Sequence, residues 1–457
     1  MKKTSLFFAI LSASSLASCA TMGGKGSEFR QSDRVIYMEE EDSDKVDAAL
    51  SALAADYVKL SLEIGTHENG YIDAYYGPAE WKKEAEANPR GKRALIAAVR
   101  SLRAQLDIIP AAKNDNLLNQ RAKWLDAQLL AAETRLMMME GVKFSFAEEA
   151  ERLFGVRPQV KPLASYDAAL ENVQKLLPGK GDLSIRADNI LEQFIVAPDK
   201  LKPVFDEAIT ECRNRTMMNM AIPADEKFDM EYVTEKPWSG YNWYQGKYHS
   251  LIQINTDLPI RISRAVDLGC HEGYPGHHVF NALLEDRLAK ARGWPEYMVY
   301  PLYSPQSLIA EGSANYGIEL AFPGQEKRDY EVNILFPMAG LASKNADIFY
   351  QLQSAMGALS GARLTIAQQY LDGEIDREQA IILSQKYLLL SRKRAEQSIG
   401  FTDIYRSYVL NYGLGLDMVR RHIEANNADG SAASADIKWQ RMEAILTQPT
   451  LPQDLTN

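Results

Sequence analysis

Three of the chain's six histidines fall in one short run, Gly269-Cys270-His271-Glu272-Gly273-Tyr274-Pro275-Gly276-His277-His278. Neutral imidazoles bind first-row divalent metals, zinc most often, and an adjacent carboxylate can take a proton from water activated by such an ion. The ordinary zinc-hydrolase arrangement places two histidines four residues apart on one helix. Here the second histidine comes six or seven positions after the first. At ~1.5 Å of rise per residue, positions seven apart lie ~10 Å apart along an unbroken helix, against ~6 Å for positions four apart. Two nitrogens that must each come within ~2.0 Å of one ion cannot span that gap. A helix through this stretch must therefore break. Pro275 has no N–H for the carbonyl of His271 and its ring would clash with it. Gly276 can take a positive φ and turn the chain back. We expect His271 and either His277 or His278 to meet on one ion, with His277 the choice, and Glu272 to act as base. Cys270 reads as an apolar core thiol.

A catalytic zinc takes three protein ligands and keeps one position open. Downstream, Pro305 to Tyr316 reads as a helix rich in small residues, with Glu311 on a close-packing face. Its interval from His277 suits a neighbouring helix that supplies the third ligand. Asn315, one turn later on the same face, could accept from the far nitrogen of His271, since metal-bound histidines need a partner that fixes tautomer and orientation.

These residues resemble the bacterial zincin-like family known as domain of unknown function 885, with His-Glu-x-x-Pro-Gly-His-His followed by Glu-Gly-x-Ala-x-Tyr. The matching positions are His271, Glu272, Pro275, Gly276, His277, His278, Glu311, Gly312, Ala314 and Tyr316, with a later Tyr-x-x-Gly at Tyr412 and Gly415. The chain departs from the pattern at Phe280 and Ser313. The resemblance implies a mainly α fold, a large helical zincin-like domain of gluzincin type. It also implies a small β element beside the active-site helix, akin to helical zinc carboxypeptidases and oligopeptidases. It further implies that an edge strand, here Ser250 to Ile254, pairs with an extended peptide substrate.

The amino terminus is the second strong signal. Lys2 and Lys3 precede an apolar run, Ser5 to Leu16, too short to span a membrane and shaped like a secretory leader. It ends Leu16-Ala17-Ser18-Cys19, which resembles a bacterial lipobox whose cysteine carries lipid. We read residues 1–19 as a lipoprotein signal with Cys19 as the anchor, and 20–44 as a solvated tether. Residues 45–457 read as one helical metallopeptidase-like domain. The body would then sit in the cell envelope, on the outer membrane facing the periplasm or the surface. The formal charge is −10, and losing Lys2 and Lys3 makes it −12. With no basic stripe interleaved with aromatics, nucleic acid is not an expected partner. A core this large needs no disulfide framework, so Cys212 and Cys270 are expected unpaired, although they could bond.

Val46 to Arg213 shows apolar spacing of three and four, with breaks at Gly77-Pro78, Pro158 and Pro178-Gly179. His67-Glu68 lacks a partner histidine and reads as a surface pair. Pro237 to Gly246 is aromatic and turn-rich, fit either to line a cleft or to pack between lobes. Helix resumes after Glu311, with breaks near Pro323-Gly324 and Asp372-Gly373. Tyr405, Tyr408 and Tyr412 fall at helical spacing on one face. A phenol there could donate to the oxyanion of an attacked carbonyl, and the family pattern selects Tyr412. Tyr408 and Arg406 are candidates for binding substrate, the planar guanidinium suiting a carboxylate. Together these features imply one Zn2+ per chain held by His271, His277 and Glu311, and hydrolysis of short peptides outside the cytoplasm. A metal-dependent amidase acting on cell-wall amides, or a non-catalytic peptide-binding lipoprotein, are the alternatives.

Overall fold

Apolar spacing produces helices where expected, and the breakers end them. A computed structural model describes residues 42–456; the leader, Cys19 and nearly all of the tether lie outside the described residues. The first helix, Ser43–Gly65, is capped by the Asp42 carboxylate and buries Leu50, Ala54, Tyr57 and Val58 along one stripe. Helices begin directly after Pro78 (Ala79–Ala87) and stop short of Pro158 (Phe146–Phe154) and Pro178 (Asp167–Leu176). The chain is mainly α-helical. No helix among the described residues is long and apolar enough to cross a membrane.

One departure lies inside the helical half. β1 (Ile72–Tyr75) follows the first helix and pairs antiparallel with β5 (Val299–Pro301), far along the chain. The other strands form a three-stranded sheet of β2 (Lys227–Val233), β3 (Gly240–Gly246) and β4 (His249–Asn255), in the order β2-β4-β3. β4 is parallel to β2 and antiparallel to β3, so the segment Ser250–Ile254 is central and not an edge. Alternate β4 residues, Ser250, Ile252 and Ile254, are buried, which favours pairing on both sides.

A buried ion network joins the two ends of this framework. Arg121, fully buried, donates through Nε to Glu296 Oε1 at 2.6 Å and through Nη1 to Asp47 Oδ1 at 2.7 Å. Trp294 Nε1 donates to the same Asp47 oxygen at 2.9 Å. Arg121 and Glu296 are both fully buried, so removing either leaves an unpaired buried charge, at a cost of ~3–5 kcal/mol. A second cross-link was not expected: Cys212 and Cys270 are disulfide-bonded, with Cα atoms 5.4 Å apart. The bond ties the helix Pro198–Met217 to the residue before His271.

Candidate metal centre and cleft

The helix Ser263–Leu268 opens into a wide π-type turn, Gly269–Gly273, that carries His271 and Glu272. The chain then extends through Tyr274, passes a cis bond to Pro275, and starts a new helix, His277–Leu284. The interruption is where the proline places it, but Gly276 works differently from expectation. Its φ is −77°, not positive. A Cβ at Gly276 would collide with the carbonyl oxygen of His271, and its N–H donates to Cys270 O at 3.0 Å. Glycine is needed because the two limbs of the bend touch.

The bend brings the two imidazoles together, edge to face. His271 Nε2 and His277 Nε2 are 3.2 Å apart, with ring planes at 88°. Glu311, from the helix Pro305–Ala321, places Oε2 at 3.2 Å from His271 Nε2 and 3.8 Å from His277 Nε2. Ligand atoms ~2.0–2.1 Å from one tetrahedral ion stand about 3.3 Å from each other, and the three observed separations fit that figure. Glu311 Oε2 is buried with no hydrogen-bond donor in good geometry, which an ion would satisfy. Two nitrogens and one carboxylate suit zinc among common divalent ions. The residues present therefore fit a single divalent metal.

Close backbone contact fixes the Glu311 side. A Cβ at Gly312 would meet the Gly415 backbone at 2.6 Å. This approach packs the turn Asn411–Gly415, with Tyr412, against the Glu311 helix. Tyr412 lies nearly parallel to the His271 ring at 6.5 Å between centroids. Tyr408 donates to Glu311 Oε1 at 2.7 Å. The tyrosines do not share one regular helix, however. The helix Arg392–Tyr405 ends at Arg406, whose φ of +53° breaks it. The three phenols still neighbour one another, at 5.9 and 6.0 Å between ring centroids.

Several expected roles fall elsewhere. His278 turns away from the cluster, with Nδ1 at 2.8 Å from Ser250 Oγ and Nε2 at 2.8 Å from Glu226. Tyr274 also donates to Glu226. His278 thus anchors the start of its helix in a buried network and is not placed as a ligand. Asn315 donates to the backbone carbonyl of Glu311 at 2.9 Å, and no hydrogen bond joins it to His271 among the described residues. Arg406 pairs with buried Glu149 at 2.8 Å, and Ser407 binds the same carboxylate through N–H and Oγ. These bonds hold the strained backbone at Arg406 and take its guanidinium out of play for substrate.

The cluster lies in a cleft of about 1900 Å³. Glu272, buried, has Oε1 2.7 Å from where a Gly240 Cβ would stand, and Asn242 Nδ2 donates to the Glu272 carbonyl at 2.7 Å. The strand beside the candidate base is therefore β3, an edge strand. Ser239 pairs with Asn255 through the Asn255 N–H, so by antiparallel alternation Gly240 and Asn242 direct their backbone groups to the open edge. The aromatic run contributes to the cleft lining, as one of the two expectations had it. Trp238 and Tyr241 stack at 5.4 Å and line the cleft, whereas buried Tyr244 donates to Glu285 at 2.5 Å.

The local charges favour a cation. Burial pushes the Glu272 carboxyl up, reinforced by Glu311 and opposed by the two histidines. Burial opposes charge on His277 too, yet Glu311, Glu272 and Asp73 push it up to about 9. Glu311 is held well below the usual carboxylate range against its burial by the same two histidines. Tyr408 and Tyr412 are raised well above 10 by burial and the nearby carboxylates, and stay protonated as donors. Asp73 of β1, whose carboxyl burial raises to about 6, accepts from Tyr241 at 2.7 Å and lines the cleft. Glu68 also lines it, paired with Arg135, and is more than a surface residue. No spacing connects Asp73 or Glu68 to the histidine run, so nothing in the sequence marks them.

No protein-family model and no curated protein matches the chain. The solved structures that resemble it weakly include the following two. One is described as a candidate lipoprotein from Colwellia psychrerythraea, with TM-score 0.48 and 15% identity over 80% of this chain and 68% of that one. The other is an M32 carboxypeptidase from Deinococcus radiodurans R1, with TM-score 0.34 and 12% identity over 88% of this chain and 90% of that one. At these values the reading of the site stands on its own geometry.

Proposed function

We propose that the chain is a zinc-dependent peptidase that hydrolyses short peptides, with His271, His277 and Glu311 holding the ion. The observation that carries this reading is the convergence of those three side chains, 3.2–3.8 Å apart, beside the buried Glu272 carboxylate in one cleft. A divalent ion there supplies Lewis acidity toward a carbonyl oxygen and lowers the pKa of water toward 7. Glu272 removes the proton from the attacking water and returns it to the departing amine, a role that its raised pKa suits. Tyr412 donates to the oxygen on which charge develops. The open edge of β3 at Gly240 and Asn242 offers backbone groups to an extended peptide. The expected anchor on Cys19 would place this activity in the cell envelope.

The test is metal analysis of purified protein together with a peptide-library digest. We expect one zinc per chain and cleavage that chelator abolishes. Glu272→Gln should keep the metal and lose at least ~100-fold in kcat. Full turnover by Glu272→Gln with metal retained rejects the base assignment. Zinc content unaffected by removing His271 and Glu311 together rejects the site.

A further inference from the structure

Part of the cleft lining comes from the helix Arg392–Tyr405, which presents Gln397, Ser398, Phe401 and Tyr405. Beside it, in the first turn of the helix Ala362–Leu371, stands Arg363. Its hydrogen bond goes to a neutral group, from Nη1 to Ser398 Oγ at 3.2 Å. Among the described residues no carboxylate comes within ion-pairing distance of it. Two other cleft arginines, Arg215 and Arg264, do have carboxylate partners.

Arg363 lines the same cleft as His271, Glu272 and Tyr412. Phe401, on the same helix as Ser398, packs edge-on to Tyr412 at 6.0 Å. Protein surrounds the guanidinium and pushes its pKa down, although the residue is exposed to the water of the cleft. A partly desolvated, unneutralised guanidinium is a strong receptor for a carboxylate, which it grips through two parallel N–H donors. Arg394, the other cleft arginine without an ion pair, donates to Pro259 O at 3.2 Å, and its charge is offset by Asp188 and Glu192.

We infer that Arg363 receives the terminal carboxylate of the substrate, so that the chain acts on peptides with a free C-terminus and cuts near that end. This rests on the peptidase reading and narrows it to exo-action. Arg363 thereby takes the role that the sequence assigns to Arg406.

The test separates binding from turnover. Zinc-loaded Glu272→Gln protein is titrated with an N-terminally labelled pentapeptide, as free acid and as C-terminal amide, and binding is followed by fluorescence anisotropy. We expect the acid to bind at least ten-fold more tightly, and the ratio to collapse toward one when Arg363→Met is added. Arg363→Lys should restore part of the ratio, and circular dichroism checks the fold of each variant. An acid-to-amide ratio near one without the Arg363 change overturns the inference, as does a ratio unaltered by Arg363→Met. So does a ratio that only Arg394→Met removes. Wild-type turnover of the acid is measured in parallel. An Arg363-dependent preference without turnover upholds carboxylate recognition and rejects the peptidase reading. Turnover without such a preference does the reverse.

Discussion

Tyr408 donates to Glu311 Oε1 at 2.7 Å and leaves Oε2 as the oxygen nearest the two histidines. The phenol thus orients the carboxylate that the cluster needs. Outer partners of metal ligands are typically worth 10–100-fold in affinity. Tyr408→Phe should therefore weaken zinc binding by about that factor in a chelator competition, with the circular dichroism spectrum unchanged. An affinity equal to wild type would show that packing alone orients Glu311.

Gly240 controls Glu272 in a different way. A methyl group there would stand 2.7 Å from Glu272 Oε1 and equally close to Leu268 Cδ2. Gly240→Ala should displace the base without touching His271, His277 or Glu311. The expected outcome is normal zinc content with kcat lowered at least ~10-fold, within the range that general-base catalysis contributes. Loss of zinc in this variant would count against the separation of base and ligands.

The Cys212–Cys270 disulfide closes a loop with a sequence separation of 58. Chain-entropy arguments give about 4 kcal/mol for a loop of that length. Replacing both cysteines by serine should lower the denaturation midpoint accordingly. Because Cys270 precedes His271, zinc should also be lost more readily to chelator. Reductant should shift the wild-type transition and leave that of the double variant in place.

Glu331 is fully buried, and burial with help from Asp267 pushes its carboxyl up to about 7 against the pull of Lys327. A folded-state pKa above the unfolded value of 4.5 means that the native protein binds this proton more tightly. The contribution is fully present below about pH 4.5 and is lost as pH rises through about 7. Glu331→Gln removes that dependence. Relative to wild type the variant should gain stability between pH 4.5 and 7.5, by on the order of 3 kcal/mol at most. Parallel Tm curves for the two proteins over that interval would refute the assignment.

Much of the site is legible because its signals are local. The rise of a helix requires a break between His271 and His277, and Pro275 locates it without knowledge of the fold. The small residues around Glu311 likewise mark a helix that can come close to another backbone. Side-chain direction is less local. His277 and His278 are adjacent, and only the position of Glu226 and Ser250 explains why one faces Glu311 and the other faces away. Tyrosine spacing at 405, 408 and 412 suggests a continuous helix, yet the Glu149 carboxylate stabilises a left-handed residue at Arg406 and ends it.

The sequence by itself determined the helical class, the bend in the histidine run and the residue types able to bind a metal. Each follows from backbone rules that act over a few positions. Tertiary structure alone decided that β4 is central and β3 the edge, and that Cys212 meets Cys270. It alone brought Asp73 into the cleft that His277 lines and, among the described residues, left Arg363 without a carboxylate partner. Those outcomes depend on which distant surfaces pack together, and packing is a property of the whole chain that no short spacing encodes.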